Sequence, residues 1–156
     1  MKRVKVIKAD SGSAKCVDAG GDILQWGVNA RNYLESAPDG VYLSDLKGTF
    51  LYGNKKSEQI TGYKREELIG SSFLKLIILP SQYLVKATKL LALNLLGRPT
   101  GPDEFQIITK DNNRVWVEIN TTPIKEQGEV VIIGFVRDIS ERKIAEHANT
   151  LTNIIL

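Results

Sequence analysis

The sequence predicts an α+β domain built on an antiparallel sheet, and three observations carry that reading. Two short strand-like stretches, "VYLSDL" and "TFLYG", precede several short helical segments, one long helix and three further strand-like stretches. Along "RVWVEINTT", Val115, Val117 and Ile119 alternate with Trp116, Glu118 and Asn120, which gives one apolar and one mixed face. The last stretch, "EVVIIGFVRDI", is apolar almost throughout, the pattern of a strand in the sheet interior with both faces covered. Helices grouped between the second and third strands are expected to segregate to one face of the sheet.

Taken in order, residues 1–28 read as a basic start followed by a small, polar, glycine-rich flexible linker over 9–22. The domain is expected over 29–140, and 141–156 as the start of a C-terminal helix. Asn29 is placed to cap a helix carrying Ala30, Tyr33, Leu34 and Ala37, stopped at Pro38. Lys47 and Gly48 form the turn between the first two strands, and Asn54 stands where the next helix needs its cap. In "EQITGYKREELIGSSF", Ile60, Tyr63, Leu68 and Ile69 reach one core only if the chain turns at Gly62 and stops at Gly70. Two short helices result. Glu66 and Glu67, adjacent on the second, point about 100° apart and read as a solvated face.

The long helix, over 81–96, places Leu84, Ala87, Leu91 and Leu95 on one stripe and ends at Gly97. The asparagines of "KDNNR" suit the left-handed backbone of a tight hairpin, and "KEQGE" joins the last two strands.

Composition limits the function classes. The chain has 156 residues and a net charge of +3, but Lys2, Arg3, Lys5 and Lys8 carry four positive charges, so the rest is one unit negative. A nucleic-acid binder would carry its basic excess on the folded domain, so none is expected as a partner. Cys16 is the only cysteine, which excludes a disulfide framework within the chain and fits a reducing, cytoplasmic setting. No apolar run approaches the roughly 18 to 20 residues of a membrane span. With a single histidine, His147, and no suitably spaced carboxylates, there is no acid–base or metal constellation, and no enzymatic activity is expected of this chain.

Four stretches in order, "SAPDGVYLSDLKGTFLYGN", "ITGYKREELIG", "KDNNRVWVEINTTPI" and "GFVRDISERK", resemble a PAS domain of the sensory-box type over residues 32–143. The resemblance implies a five-stranded antiparallel sheet in the order 2-1-5-4-3, and "GYKREELIG" as a packing signature. It also implies a role in sensing or dimerisation, most often within a histidine kinase. Flavin-binding relatives carry a cysteine where this chain has Phe73, and polar groups where it has Ile107, Val117 and Val136; haem-binding relatives use a histidine on the long helix, which has none. No flavin or haem is therefore expected. His147 continues "HANTLTN" and reads as a solvated helix residue, unlike a phosphoacceptor site.

The inward positions under this alignment are Tyr42, Phe73, Leu76, Leu84, Ala87, Leu91, Phe105, Ile107, Val117, Ile119, Ile132 and Val136. They compose either a filled apolar core or a pocket for an apolar ligand such as a fatty acid. Two functions follow: a ligand-sensing input module coupled to a C-terminal helix, or a dimerisation scaffold with a filled core. Trp116 is expected to be covered by the helix over 30–37 or by a partner subunit. Asp138 and Glu141 have capping-box spacing, and Ile144, Ala148, Leu151 and Ile155 recur as the seam of a two-helix coiled coil, or as the inner face of a helix folded back on its own domain. The coiled-coil alternative makes the chain a weak parallel homodimer, with Trp116, Asp138 and Glu141 transmitting the signal.

Overall fold

The computed structural model describes residues 5–7, 15–17, 23–25, 28–73, 75–76, 78–126 and 128–155. Three short strands come first, β1 (Lys5–Ile7), β2 (Lys15–Val17) and β3 (Ile23–Gln25), paired antiparallel in that order. β2 falls within 9–22, the stretch whose composition predicts a linker, while β1 lies in the basic start and β3 just after the linker. Each is a three-residue run containing a β-branched residue, too short to register in an average dominated by Gly, Ser and Asp.

Then follow α1 (Val28–Glu35), β4 (Gly40–Ser44), β5 (Phe50–Gly53), α2 (Lys55–Thr61) and α3 (Arg65–Leu68). After a 3₁₀ turn at Ser81–Tyr83 come α4 (Leu84–Leu95), β6 (Thr100–Ile108), β7 (Arg114–Glu126), β8 (Glu129–Asp138) and α5 (Ser140–Ile155). Asn29 lies inside α1, whose first residue is Val28, and Ala37 lies beyond its end. The main sheet is antiparallel in the order β5-β4-β8-β7-β6, which counted from β4 is 2-1-5-4-3. The apolar strand β8 is central, as its composition requires.

Register separates two faces. Tyr42 pairs with Gly134, Ile119 with Val136 and Phe105 with Val117, so these residues share the face under α2, α3 and α4. Here Ile60, Leu68, Ile78, Phe105, Ile107 and Val117 form one buried cluster. On the opposite face Leu43, Leu51, Tyr52 and Val131 form a second, onto which Leu34 of α1 packs. The helices thus group on one face as predicted, with α1 added on the other. Full burial of such side chains is worth roughly 1.5–3 kcal/mol each, so the two clusters dominate the stability.

Position of the helical layer is set by Asn54, which is 0 % exposed. Its Oδ1 accepts from the Val41 N–H at 2.9 Å and from the Ser57 N–H at 3.0 Å, the second bond capping α2. Its Nδ2 donates to the Leu34 carbonyl at 2.7 Å and the Asp39 carbonyl at 3.1 Å. One amide therefore joins α1, β4 and α2 with its hydrogen-bonding capacity spent. Glu35 adds a second tie, accepting from the Tyr52 hydroxyl at 2.7 Å and pairing with Arg65 at 2.6 Å. Burial, with the Glu35 carboxylate beside it, pushes the Tyr52 hydroxyl well above the usual phenol range. At the end of α2, Gly62 adopts φ 76°, and its N–H returns to the Glu58 carbonyl at 2.8 Å.

Replacing Asn54 leaves the buried Val41 N–H and the Asp39 carbonyl without partners, and the Leu34 carbonyl with only the Ala37 N–H at 3.3 Å. Asn54→Ala is expected to lower unfolding free energy by about 3–4 kcal/mol. Asn54→Asp, which sets a carboxylate against the Leu34 and Asp39 carbonyls, should not restore it. Urea titration checks both, and a loss below about 1 kcal/mol for the alanine variant would remove Asn54 from this role.

Candidate functional site

Between the helical layer and the sheet lies a cavity of about 140 Å³. Of the residues the sequence places inward, Tyr42, Phe73, Ala87, Leu91, Phe105, Ile107, Ile119, Ile132 and Val136 line it. Leu76 and Val117 belong instead to the packed cluster beside it, and Leu84, at the start of α4, lies outside the lining. Tyr42 stands edge-on to Phe50, centroids 5.5 Å apart, and its ring occupies the space over Gly134. A Cβ at Gly134 would come within 2.1 Å of the Tyr42 ring, so this strand position must be glycine for the ring to lie there. Burial pushes the Tyr42 hydroxyl up to about 12, so it stays protonated at any physiological pH. Phe73 packs its ring edge against Gly48 in the β4–β5 turn.

Sequence reasoning missed the polar side of this cavity. The stripe expected on α4 was Leu84, Ala87, Leu91 and Leu95, but Leu95 is 57 % exposed while Asn94 is 2 % exposed. The inward face runs through Ala87, Leu90, Leu91 and Asn94. Leucines stand on every side of α4, so apolar periodicity admits several stripes; the lone asparagine among them was the available signal. Asn94 Nδ2 donates to the Leu90 carbonyl at 2.8 Å and to Thr121 Oγ1 at 2.9 Å, and Thr121 Oγ1 lies 2.6 Å from Thr100 Oγ1. Lys86, also expected off the packed stripe, lies 4.7 Å from the centre of the Phe105 ring and donates to the Glu104 carbonyl.

The exit from the domain lies two residues along β8 from the cavity wall. Val136 lines the cavity and Asp138 ends the same strand. The Asp138 carboxylate accepts from the Ser140 N–H at 2.9 Å, two residues on, where a capping box needs a bond three residues on. Glu141 contributes no reciprocal bond among the described residues, and α5 begins at Ser140, so this is an Asx-type turn. The buried Ile139 donates its N–H to the Trp116 carbonyl at 2.9 Å.

Trp116 is covered by α5, a correction to the expected cover by α1, because Leu34 of α1 is engaged elsewhere on the sheet. The Lys143 ammonium lies 5.0 Å from the centre of the Trp116 ring. Arg142 reaches Glu118 at 3.1 Å and Glu104 at 2.8 Å, and Lys143 also pairs with Glu104. These pairs strap the first turn of α5 across β7 and β6. Beyond them the seam positions are open: Ile144 is 70 %, Leu151 47 % and Ile155 83 % exposed, and Ala148 is exposed too. A helix folded back on its own domain would bury them.

Among the described residues, no helix is long and apolar enough to cross a membrane. The sequence profile of the PAS domain matches residues 38–141. The oxygen sensor protein DosP of Escherichia coli is 29 % identical over 111 residues, covering 69 % of this chain and 14 % of that protein. The hybrid signal transduction histidine kinase L of Dictyostelium discoideum is 25 % identical over 124 residues, covering 76 % of this chain and 7 % of that protein. The chain thus spans a small part of the length of these relatives. Among solved structures, a domain of a sensory box sensor histidine kinase/response regulator from Geobacter sulfurreducens is 26 % identical, with TM-score 0.59 over 70 % of this chain and 91 % of that one.

The Lys143 hydrogen bond holds the Glu104 carboxyl below the usual carboxylate range. Because its folded value is depressed, the strap is fully present above the unfolded carboxyl value of about 4.3 and is lost as pH falls through the lowered folded value. In a Trp26→Phe chain, Trp116 emission is expected to shift to the red below about pH 4 while far-ultraviolet circular dichroism still reports a folded sheet. Glu104→Gln should abolish that acid step. An identical step in the variant would dissociate Glu104 from the strap.

Proposed function

As this chain belongs to the PAS domain family, whose members serve as sensory modules in histidine kinases and oxygen sensors and are not catalytic by themselves, we propose that it is the input module of a sensor histidine kinase or similar signalling protein. It couples occupancy of the cavity, or rearrangement of a homodimer, to the direction in which α5 leaves the sheet. We place it in the cytoplasm.

The observation that carries this reading is the shared strand β8. Val136 forms cavity wall, Asp138 turns the chain into α5 and Ile139 is tied to β7 through the Trp116 carbonyl. A shift of Val136 or Ile119 therefore moves the base of the helix directly. Amplification comes from lever length: α5 runs 16 residues from a fixed first turn, about 24 Å at 1.5 Å per residue. The occupant we propose is small. A cavity of this volume is of the scale that takes benzene, far below a tricyclic flavin, a haem or a fatty acid. No histidine or methionine stands on α4 to ligate haem, and Ile107 and Val136 offer a flavin ring no hydrogen bond.

The exposed seam supports a second copy of the chain as the partner of α5. Apolar side chains at intervals of four, three and four along one open face are unfavourable in water and pair in a parallel coiled coil. Sedimentation equilibrium at high micromolar concentration should show association of the chain and its loss in Leu151→Glu. Two monomers, or two equal dimers, would mean that the seam is not the interface.

A further inference from the structure

Resting on the reading of the cavity as a ligand site, we infer that its occupant is a small neutral molecule with an apolar body and one hydroxyl group, recognised by Asn94, Thr121 and Thr100. Asn94 is nearly fully buried and lines the cavity, yet its Oδ1 has no hydrogen-bond partner. The amide cannot turn round to cure this, because that would set Oδ1 against the Leu90 carbonyl that Nδ2 now meets at 2.8 Å. Both Nδ2 hydrogens are spent, on Leu90 and on Thr121.

Between Thr121 and Thr100 one hydroxyl hydrogen is used and one is not, whichever way the 2.6 Å bond runs. This corner of the cavity therefore offers one unused acceptor and one unused donor. An alcohol or phenol hydroxyl, which donates and accepts at once, matches that pair. A methyl in its place leaves both unmet, and a buried polar group without a partner is costly.

The rest of the lining sets the body and the charge. Apart from this corner, the walls are mostly aliphatic and aromatic, so the body is apolar. Among the described residues no Lys, Arg, His, Asp or Glu lines the cavity, so a carboxylate or ammonium would be buried without a counter-charge and is rejected. Volume limits the molecule to the size of a single six-membered ring.

Phenol, toluene and benzoate separate these contributions, since toluene replaces the hydroxyl by a methyl and benzoate replaces it by a charged carboxylate. Amide chemical-shift titration at pH 7 should show phenol binding with shifts at Asn94 and Thr121, toluene roughly ten- to a hundredfold weaker and benzoate absent. In Asn94→Leu, phenol should fall to the affinity of toluene while toluene is held. Thr100→Val, at a position only half-buried, should narrow the difference in the same way if the first variant does not fold. Equal binding of phenol and toluene to the unaltered chain, as when a water satisfies the corner, would overturn the hydroxyl assignment and leave the ligand site standing. Benzoate binding as well as phenol would overturn the requirement for neutrality. Binding of none of the three would overturn the assignment and the ligand-site reading together.

Discussion

The buried amide of Asn54 is the constraint from which the rest of the geometry follows. A sheet and a helical layer attract each other without direction, since apolar burial rewards contact and not registry. Asn54 supplies the direction. By capping α2 while holding the Val41 N–H and the carbonyls of Leu34 in α1 and Asp39 after it, Asn54 fixes where α2 begins over β4. Ser57 and Ile60 of that helix then form one side of the cavity. If the start of α2 slid by a residue, the cavity wall would slide with it.

Two devices then shape the interior. Tyr42 lies over Gly134 and holds its ring beside the space instead of across it, and Asn94 sets a polar amide into the wall where a leucine of similar size would have been apolar. A leucine at 94 would have matched its apolar neighbours on α4 and left no buried amide oxygen without a partner. The polar choice sacrifices stability at a single buried position, and such sacrifices concentrate at functional sites. Strand β8 links this interior to the outside, because its inward side chains are cavity wall and its last residue starts α5.

What was legible in the sequence is what depends on local pattern. Gly62, Gly70, Asn112 and the cap role of Asn54 could be placed because turn chemistry is written in neighbouring residues. The five-stranded order follows from the resemblance, and the central place of β8 from its apolar composition. What could not be read depends on partners far along the chain. The carbonyls that Asn54 holds lie 15 and 20 residues before it, and Thr121 lies 27 residues after Asn94. Trp116 could be assigned to a covered face, with the helix over 30–37 or a partner subunit as its expected cover; the pairing of Arg142 and Lys143 with Glu104 and Glu118, far apart in the chain, is what lays α5 there.

The central claim is that a change inside the cavity reaches the base of α5 through β8. Amide hydrogen exchange at Ile139 and Lys143 reads it most directly, since Ile139 donates to the Trp116 carbonyl and Lys143 to the Ile139 carbonyl, the backbone bonds at the junction of strand and helix. The comparison is between the empty cavity and the cavity filled with phenol or pressurised xenon. The account predicts altered protection at both amides, with Val41, held by Asn54, unchanged. Altered protection confined to cavity-lining residues, with Ile139 and Lys143 as before, would contradict it.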